Sequence, residues 1–300
     1  MAPNPLYRSN EDPVEPGPLV ELKTRLVLYL SYPPGPVTMR RLYDLYMRRF
    51  GDQITAYRST TVGSEPEEWT PETRARFETV ELPDLRQQQD WGYMFGSEKP
   101  IGSGVFMFHG SRPFSEKGRA SIIRFDFEWD FDRAVLRQFT ASVLDVVDCV
   151  CGTAGYVLSA DAGDYAAPAS ALMFAWAMRY WGAEAQDLDA SVEVALGGFP
   201  CVSWLTMIGP ELRGRAPEAI AQARAVAYAS AEVNGHVIIQ AEEVPRLIDR
   251  NRQETLGNFA PVARALLPFQ VEQHQALAGD SWDEENTRRY MHRFTRPDDV

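Results

Sequence analysis

Between residues 120 and 131 apolar and polar positions alternate without a break. Ile123, Phe125, Phe127, Trp129 and Phe131 fall on one face, and Arg124, Asp126, Glu128 and Asp130 on the other, the period of a half-buried strand. One face then belongs to the core and the other meets water or a partner, which favours a mainly antiparallel sheet. The β-formers of 22–32 (LKTRLVLYLSY) predict an earlier strand, turned by Pro33-Pro34-Gly35-Pro36. Met39, Leu42, Tyr43, Tyr46 and Phe50 recur at helical spacing, with Gly51 where a helix stops. Further strands are predicted near 54–61, 104–109 and 155–159. Val135, Leu136, Phe139, Val143, Val146 and Val147 mark an amphipathic helix, and the nearly all-apolar 169–181 a buried one. The apolar run 199–208 reads as a strand stopped by Gly209-Pro210, because proline cannot donate to a ladder and restricts the residue before it. Residues 235–247 predict a turn and a strand, and 258–269 a helix. A last helix is expected in 280–296, with Ser281 and Glu284 spaced as a capping box and Trp282, Tyr290, Met291 and Phe294 docking it.

These elements predict an α+β protein with antiparallel sheet packed by helices. Strand–helix–strand patterns near each end admit two related halves, although no sequence repeat shows them. Residues 1–17, rich in proline and polar groups, read as a flexible arm. A single domain is expected over 18–277, with a helix and tail at 278–300. Within it, 64–90 reads as an acidic insertion lying over the surface. It carries Glu65, Glu67, Glu68, Glu72, Glu78, Glu81, Asp84 and Asp90 against three arginines, and Thr70-Pro71 starts a short helix there.

Composition narrows the function classes. Hydrophobic residues make up 45% of the 300, enough for an ordinary core. The apolar runs are too short to span a bilayer, and the N-terminal residues lack the basic and apolar regions of a secretory signal. Three cysteines, two crowded at Cys149 and Cys151, favour reduced thiols and a cytoplasmic location over a disulfide framework. A net charge of −12 repels phosphate backbones, so nucleic acid is not an expected partner. A basic protein partner would suit that charge, and solubility alone would also explain it.

Candidate chemistry is thin. Asp126, Glu128 and Asp130 would line one strand face and could hold a divalent cation or supply acid and base to a hydrolase. Against this, none of Lys23, Lys99 and Lys117 follows in the restriction-type pattern, and a wet strand face paired by Arg124 explains the row equally. Cys149, Cys151 and Cys201 fall short of a closed zinc site, and His109, His236, His274 and His292 are scattered. No nucleophile elbow or phosphate loop occurs, Gly102-Ser103-Gly104 being the nearest approach. Arg40, Arg41, Arg48 and Arg49 share their helix with Asp44 and read as a solvated face. Trp69, Trp91 and Tyr93 flank the acidic segment, where aromatics beside carboxylates suit a protein-binding hot spot or, equally, a strand core.

The segment CVSWLTMIGPEL (201–212), then GHVIIQAEEVPRL (235–247) and NFAPVARALLPF (258–269), resemble the type VI immunity family, long catalogued as a domain of unknown function. Trp204, Leu205, Gly209, Pro210, Leu212, Gly235 and Pro245 match its scaffold phrases, as does CGTAGY at 151–156. The resemblance runs from about Leu19 to Leu277. Where relatives often read Gly-Asp after the proline, this chain has Leu247-Ile248-Asp249. Membership would imply a cytoplasmic, non-catalytic protein without cofactor or metal, neutralising a type VI secretion toxin, a nuclease foremost, encoded beside it. Homo-oligomerisation stays open. Glu65, Glu67, Glu68, Trp69, Glu72 and Trp91 are the expected toxin contacts. A metal-dependent hydrolase using the Asp126, Glu128 and Asp130 face, and an assembly protein of the secretion system or a prophage, are the alternatives.

Overall fold

The computed structural model describes residues 3–9, 18–59, 65–86, 90–97, 106–111, 118–160, 166–185, 188–272 and 281–299. In chain order the elements are β1 (Tyr7–Ser9), β2 (Pro18–Leu30), α1 (Pro36–Phe50), β3 (Ala56–Ser59), β4 (Glu67–Glu68) and α2 (Pro71–Arg76). A π-helical turn (Phe77–Glu81) and a 3₁₀ turn (Pro83–Arg86) extend α2. Then come β5 (Asp90–Gly96), β6 (Phe106–Ser111), β7 (Ser121–Glu128), α3 (Arg133–Leu144), β8 (Cys151–Ala160), α4 (Ala166–Arg179), β9 (Ala183–Ala185) and α5 (Leu188–Val194). The chain closes with β10 (Leu205–Ile208), α6 (Pro210–Arg213), α7 (Pro217–Val226), β11 (Ala229–Val233), β12 (His236–Gln240), α8 (Phe259–Ala265) and α9 (Glu284–Met291).

The twelve strands among the described residues form one sheet, ordered β11-β12-β10-β8-β2-β7-β6-β5-β3-β4, with β1 added to β2 and β9 to β8. Pairing is antiparallel except between β8 and β9. The α+β expectation therefore holds. The long strands β2 and β8 form the centre, in register from Val20↔Ala160 to Tyr29↔Cys151. On one face a cross-strand aromatic row runs Tyr57, Phe95, Phe106, Phe125. Phe106 stacks on Phe125 at 4.7 Å and on Phe95 at 5.7 Å. Such pairs add stability beyond their buried area. Tyr46 of α1 and Phe139 of α3 close over this row, and Phe50 of α1 packs on Phe127 next to it, as the helical spacing predicts.

The opposite face departs from the expectation. Arg124, Asp126 and Glu128 point there, but the face is covered rather than wet, and Asp126 is fully buried. The turn after α5 lies against its centre, and Glu184 of the neighbouring β9 also faces it. Cys151 Sγ donates to the carbonyls of Ala195 and Gly198, Thr153 reaches Glu184, and Ser203 Oγ bonds the Ala154 carbonyl. A chain of 300 residues has enough apolar surface to cover both faces of a central sheet, which strand alternation cannot disclose.

Other boundaries also shift. Part of the expected arm is held in the sheet, where Tyr7 pairs with Glu21 and Leu6 is buried; 10–17 lie outside the described residues, as do Gly102, Ser103 and Gly104. β7 ends at Glu128, so Asp130 lies in a turn. The helix expected to be buried, α4, buries Ala169 and Ala177 but exposes Ala171 and Ala175. α9 is capped by Asp283, whose carboxylate accepts from Asn286 N–H at 2.6 Å, and not by Ser281. The acidic stretch is no mere surface insertion: Phe77, Leu82 and Leu85 are buried in the main core.

Candidate functional site

The acidic segment forms one outer border of the sheet. β4 is the edge strand, paired to β3 through Ala56↔Glu68 and Tyr57↔Glu67. Thr70 caps α2, its hydroxyl accepting from Thr73 N–H at 3.2 Å, with Pro71 at the first helical position, as the Thr-Pro pair predicts.

The fold sorts the carboxylates here into two sets. The inner set is paired. Glu67 takes a forked contact from Arg76, both oxygens at 3.0 Å. Glu78 receives Arg74 Nε at 2.8 Å and the Tyr43 hydroxyl at 2.8 Å. Burial would raise its carboxyl, but Arg74, Tyr43 and Arg40 outweigh that and hold it low. Glu81 is buried and accepts from the Tyr57 hydroxyl and from Arg76. The outer set, Glu65, Glu68 and Glu72, is exposed and forms no ion pair among the described residues. Glu72 is held below the usual carboxylate range by its own backbone N–H and the Thr70 hydroxyl, so it stays ionised.

The residues singled out from sequence therefore come together but not as equals. Glu65, Glu68 and Glu72 face outward. Glu67 is tied down by Arg76. Trp69 is half-buried, its ring 5.3 Å from Tyr57 and 5.2 Å from Phe95, a core-edge position rather than a free aromatic. Trp91 lies on β5 opposite Gly110, and its side chain is outside the described residues. Sequence reading missed Val80, which stands 54% exposed on the outward side of the π turn. A lone valine in a charge-rich stretch gives no periodic signal; only the turn's geometry turns it outward.

The carboxylate row on β7 is not assembled for chemistry. Asp126 accepts a forked pair from Arg25 at 2.7 and 3.0 Å and a contact from Arg124 at 3.1 Å. Burial pushes its carboxyl up, but Arg124 and Arg25 overcome this and hold it at about 2. Glu128 is partly buried and Asp130 exposed in a turn, so the three do not converge. Among the described residues no group of three or more His, Cys, Asp or Glu could hold a metal. Cys149, Cys151 and Cys201 are free and buried, and no described helix is long and apolar enough to cross a membrane.

The scaffold phrases find physical roles. Trp204 is buried, its indole N–H donating to the Glu242 carbonyl at 2.8 Å, and Leu205 and Leu212 are core. Gly209 ends β10 against the backbone of Cys149: a Cβ there would lie 1.8 Å from that carbonyl. Pro210 opens α6, Pro245 is buried, and Gly235 follows Asn234 in the β11–β12 turn at φ +80°. Within the departure at 247–249, Ile248 occupies the left-handed region at φ +57°, a conformation that disfavours a β-branched residue.

A family model described as TsiV, type VI immunity for VRR-NUC, matches residues 39–294. Among solved structures, the Pseudomonas aeruginosa T6SS protein PA0821 is similar, with TM-score 0.75 and 17% identity over 94% of this chain and 85% of that chain. At that identity the likeness is one of fold. No curated protein matches this chain.

Proposed function

The chain belongs to the TsiV family of type VI immunity for VRR-NUC, and from that premise we propose that it binds a cognate VRR-NUC toxin and neutralises it by direct occlusion. The observation that carries this reading is the family match itself, which spans all but the two ends of the chain. Occlusion needs no catalysis, cofactor or metal, and no nucleic acid or membrane partner. The toxin would be encoded beside this gene, and the two would meet in the cytoplasm.

Charge supports the same reading. A nuclease must draw a phosphate backbone into its site, and therefore presents cations around its groove. A chain of net charge −12, with exposed carboxylates on one border that form no ion pair among the described residues, is suited to that groove. In this proposal Glu65, Glu68 and Glu72 meet the toxin, Glu67 and Trp69 hold the border in shape, and Trp91 adjoins it on β5. The hydrolase alternative loses its support, because Asp126 is committed to two arginines.

The test is survival of a bacterial host expressing the toxin, with and without this chain. Rescue together with co-purification of the pair is the expected result. Unrelieved toxicity would overturn the reading and favour an assembly role in the secretion apparatus or a prophage.

A further inference from the structure

We infer that the outward strip of α2 and its π turn, centred on Val80, is the apolar anchor of the toxin interface. This rests on the immunity reading above and deepens it. Thr73, Phe77, Glu81, Leu82 and Leu85 are all buried, an inward spacing close to four residues. An α-helix repeats every 3.6 residues and would drift off that line. The π turn, closed by Leu82 N–H donating to the Phe77 carbonyl at 2.9 Å, restores the register. One consequence is inward: Phe77 and Leu82 enter the core. The other is outward: Ala75, Thr79, Val80 and Asp84 are exposed on the reverse side, with Glu72 at the start of the strip.

The turn is locked from behind. Glu81 is 5% exposed, and its carboxylate accepts from the Tyr57 hydroxyl and from Arg76 Nε at 3.0 Å. The strip is thus pre-organised, which lowers the ordering cost of binding. An exposed valine on a strip that also carries the exposed Glu72 and Asp84 has the anatomy of a protein-binding centre, an apolar anchor beside a polar rim. The rim charge is complementary to a basic nuclease groove and repels other acidic surfaces. Val226, the last residue of α7, is the contrast: Arg224, two residues before it, shares Glu232 with Arg213, so the charge next to it in the chain is cationic.

The experiment uses the full chain and, as probe, the VRR-NUC nuclease of the same genome with its catalytic carboxylate replaced. Kd is measured for wild type, Val80→Arg, Val80→Ser and Val226→Arg, alongside each Tm. Val80→Arg is expected to weaken binding at least tenfold through faster dissociation, and Val80→Ser about threefold, with Tm and the Val226→Arg affinity unchanged. If Val80→Arg lowers Tm, Val80→Ser decides. Variants at 80 that bind within error of wild type overturn this inference and leave the immunity reading standing. A wild-type chain that neither binds nor protects overturns the reading itself.

Discussion

Ile248 holds a left-handed backbone, φ +57°, while its side chain is wholly buried. That conformation costs an L-residue about 1–2 kcal/mol and a β-branched one no less. Glycine would adopt it freely, so burial of the isoleucine must offset the strain. Elsewhere glycine is worse than alanine by about 0.5–1 kcal/mol. At 248 the order should invert: Ile248→Gly and Ile248→Ala both lose burial, but only glycine relieves the strain. Thermal unfolding of the two variants checks this, and a Gly variant melting below the Ala variant contradicts it. A second residue with a marked state is His236, fully buried, its Nε2 accepting from Cys149 N–H at 3.1 Å and its Nδ1 facing the Val233 carbonyl at 3.2 Å. Burial lowers its pKa, opposed by the Val233 carbonyl and Asp148. Below its ordinary value of 6.5 the unfolded chain takes up a proton that the folded chain refuses. Stability is therefore complete above that pH and falls as pH drops toward the folded pKa. Denaturant titrations from pH 7 downward should show a shallower loss in His236→Gln than in wild type. Asp126→Asn would leave Arg25 and Arg124 buried without their counter-charge, at a cost of about 3–5 kcal/mol. A loss under about 1 kcal/mol would mean the pair contributes little beyond its own desolvation. None of these three states was legible in sequence, since each depends on what the distant chain places against the residue.

At the scale of elements, period and punctuation along the chain specify structure where one face meets the core. The α1 stripe of Met39, Leu42, Tyr43, Tyr46 and Phe50 is buried as its spacing predicts. The Thr70-Pro71 start of α2 forms, because capping is decided within a few residues. The α9 cap, Asp283, lies two residues beyond Ser281, the cap that the Ser281–Glu284 spacing predicts, since several residues there suit a helix start. Removing the true cap separates the two: Asp283→Ala should destabilise by about 1 kcal/mol and Ser281→Ala by a few tenths. Equal effects in paired melting curves would reject the assignment. The π turn could not be foreseen, because the four-residue inward spacing exists only once β3 and β5 supply the surface for Phe77 and Glu81 to face.

Over the whole molecule, charge is sorted rather than merely in excess. Arginines take the inner carboxylates, Arg76 holding Glu67 and Glu81 and Arg74 holding Glu78. The outer Glu65, Glu68 and Glu72 remain to project a field. If they steer the toxin, reversing these three should slow association and flatten its salt dependence, leaving dissociation little changed. Glu67→Lys, in contrast, should act on stability through Arg76. Stopped-flow association across ionic strengths distinguishes them, and unchanged rates in the triple variant would remove these residues from the interface.

Local order of apolar and polar residues, with the stops set by glycine and proline, was enough to give the α+β class, the chief strands and α1, because those choices are settled by a residue's immediate neighbours along the chain. The scaffold phrases from Trp204 to Pro245 were equally legible: their glycines and prolines answer fixed backbone demands, such as the 1.8 Å approach at Gly209. What covers the second face of β7, which glutamates stay free, and that Val80 points outward were decided only by the tertiary structure. The first depends on segments 101 residues apart meeting across a sheet, as Arg25 meets Asp126, and the sorting of the glutamates on contacts as distant as Tyr43 with Glu78, 35 residues apart; a strand's alternation specifies two faces without saying what will lie on either.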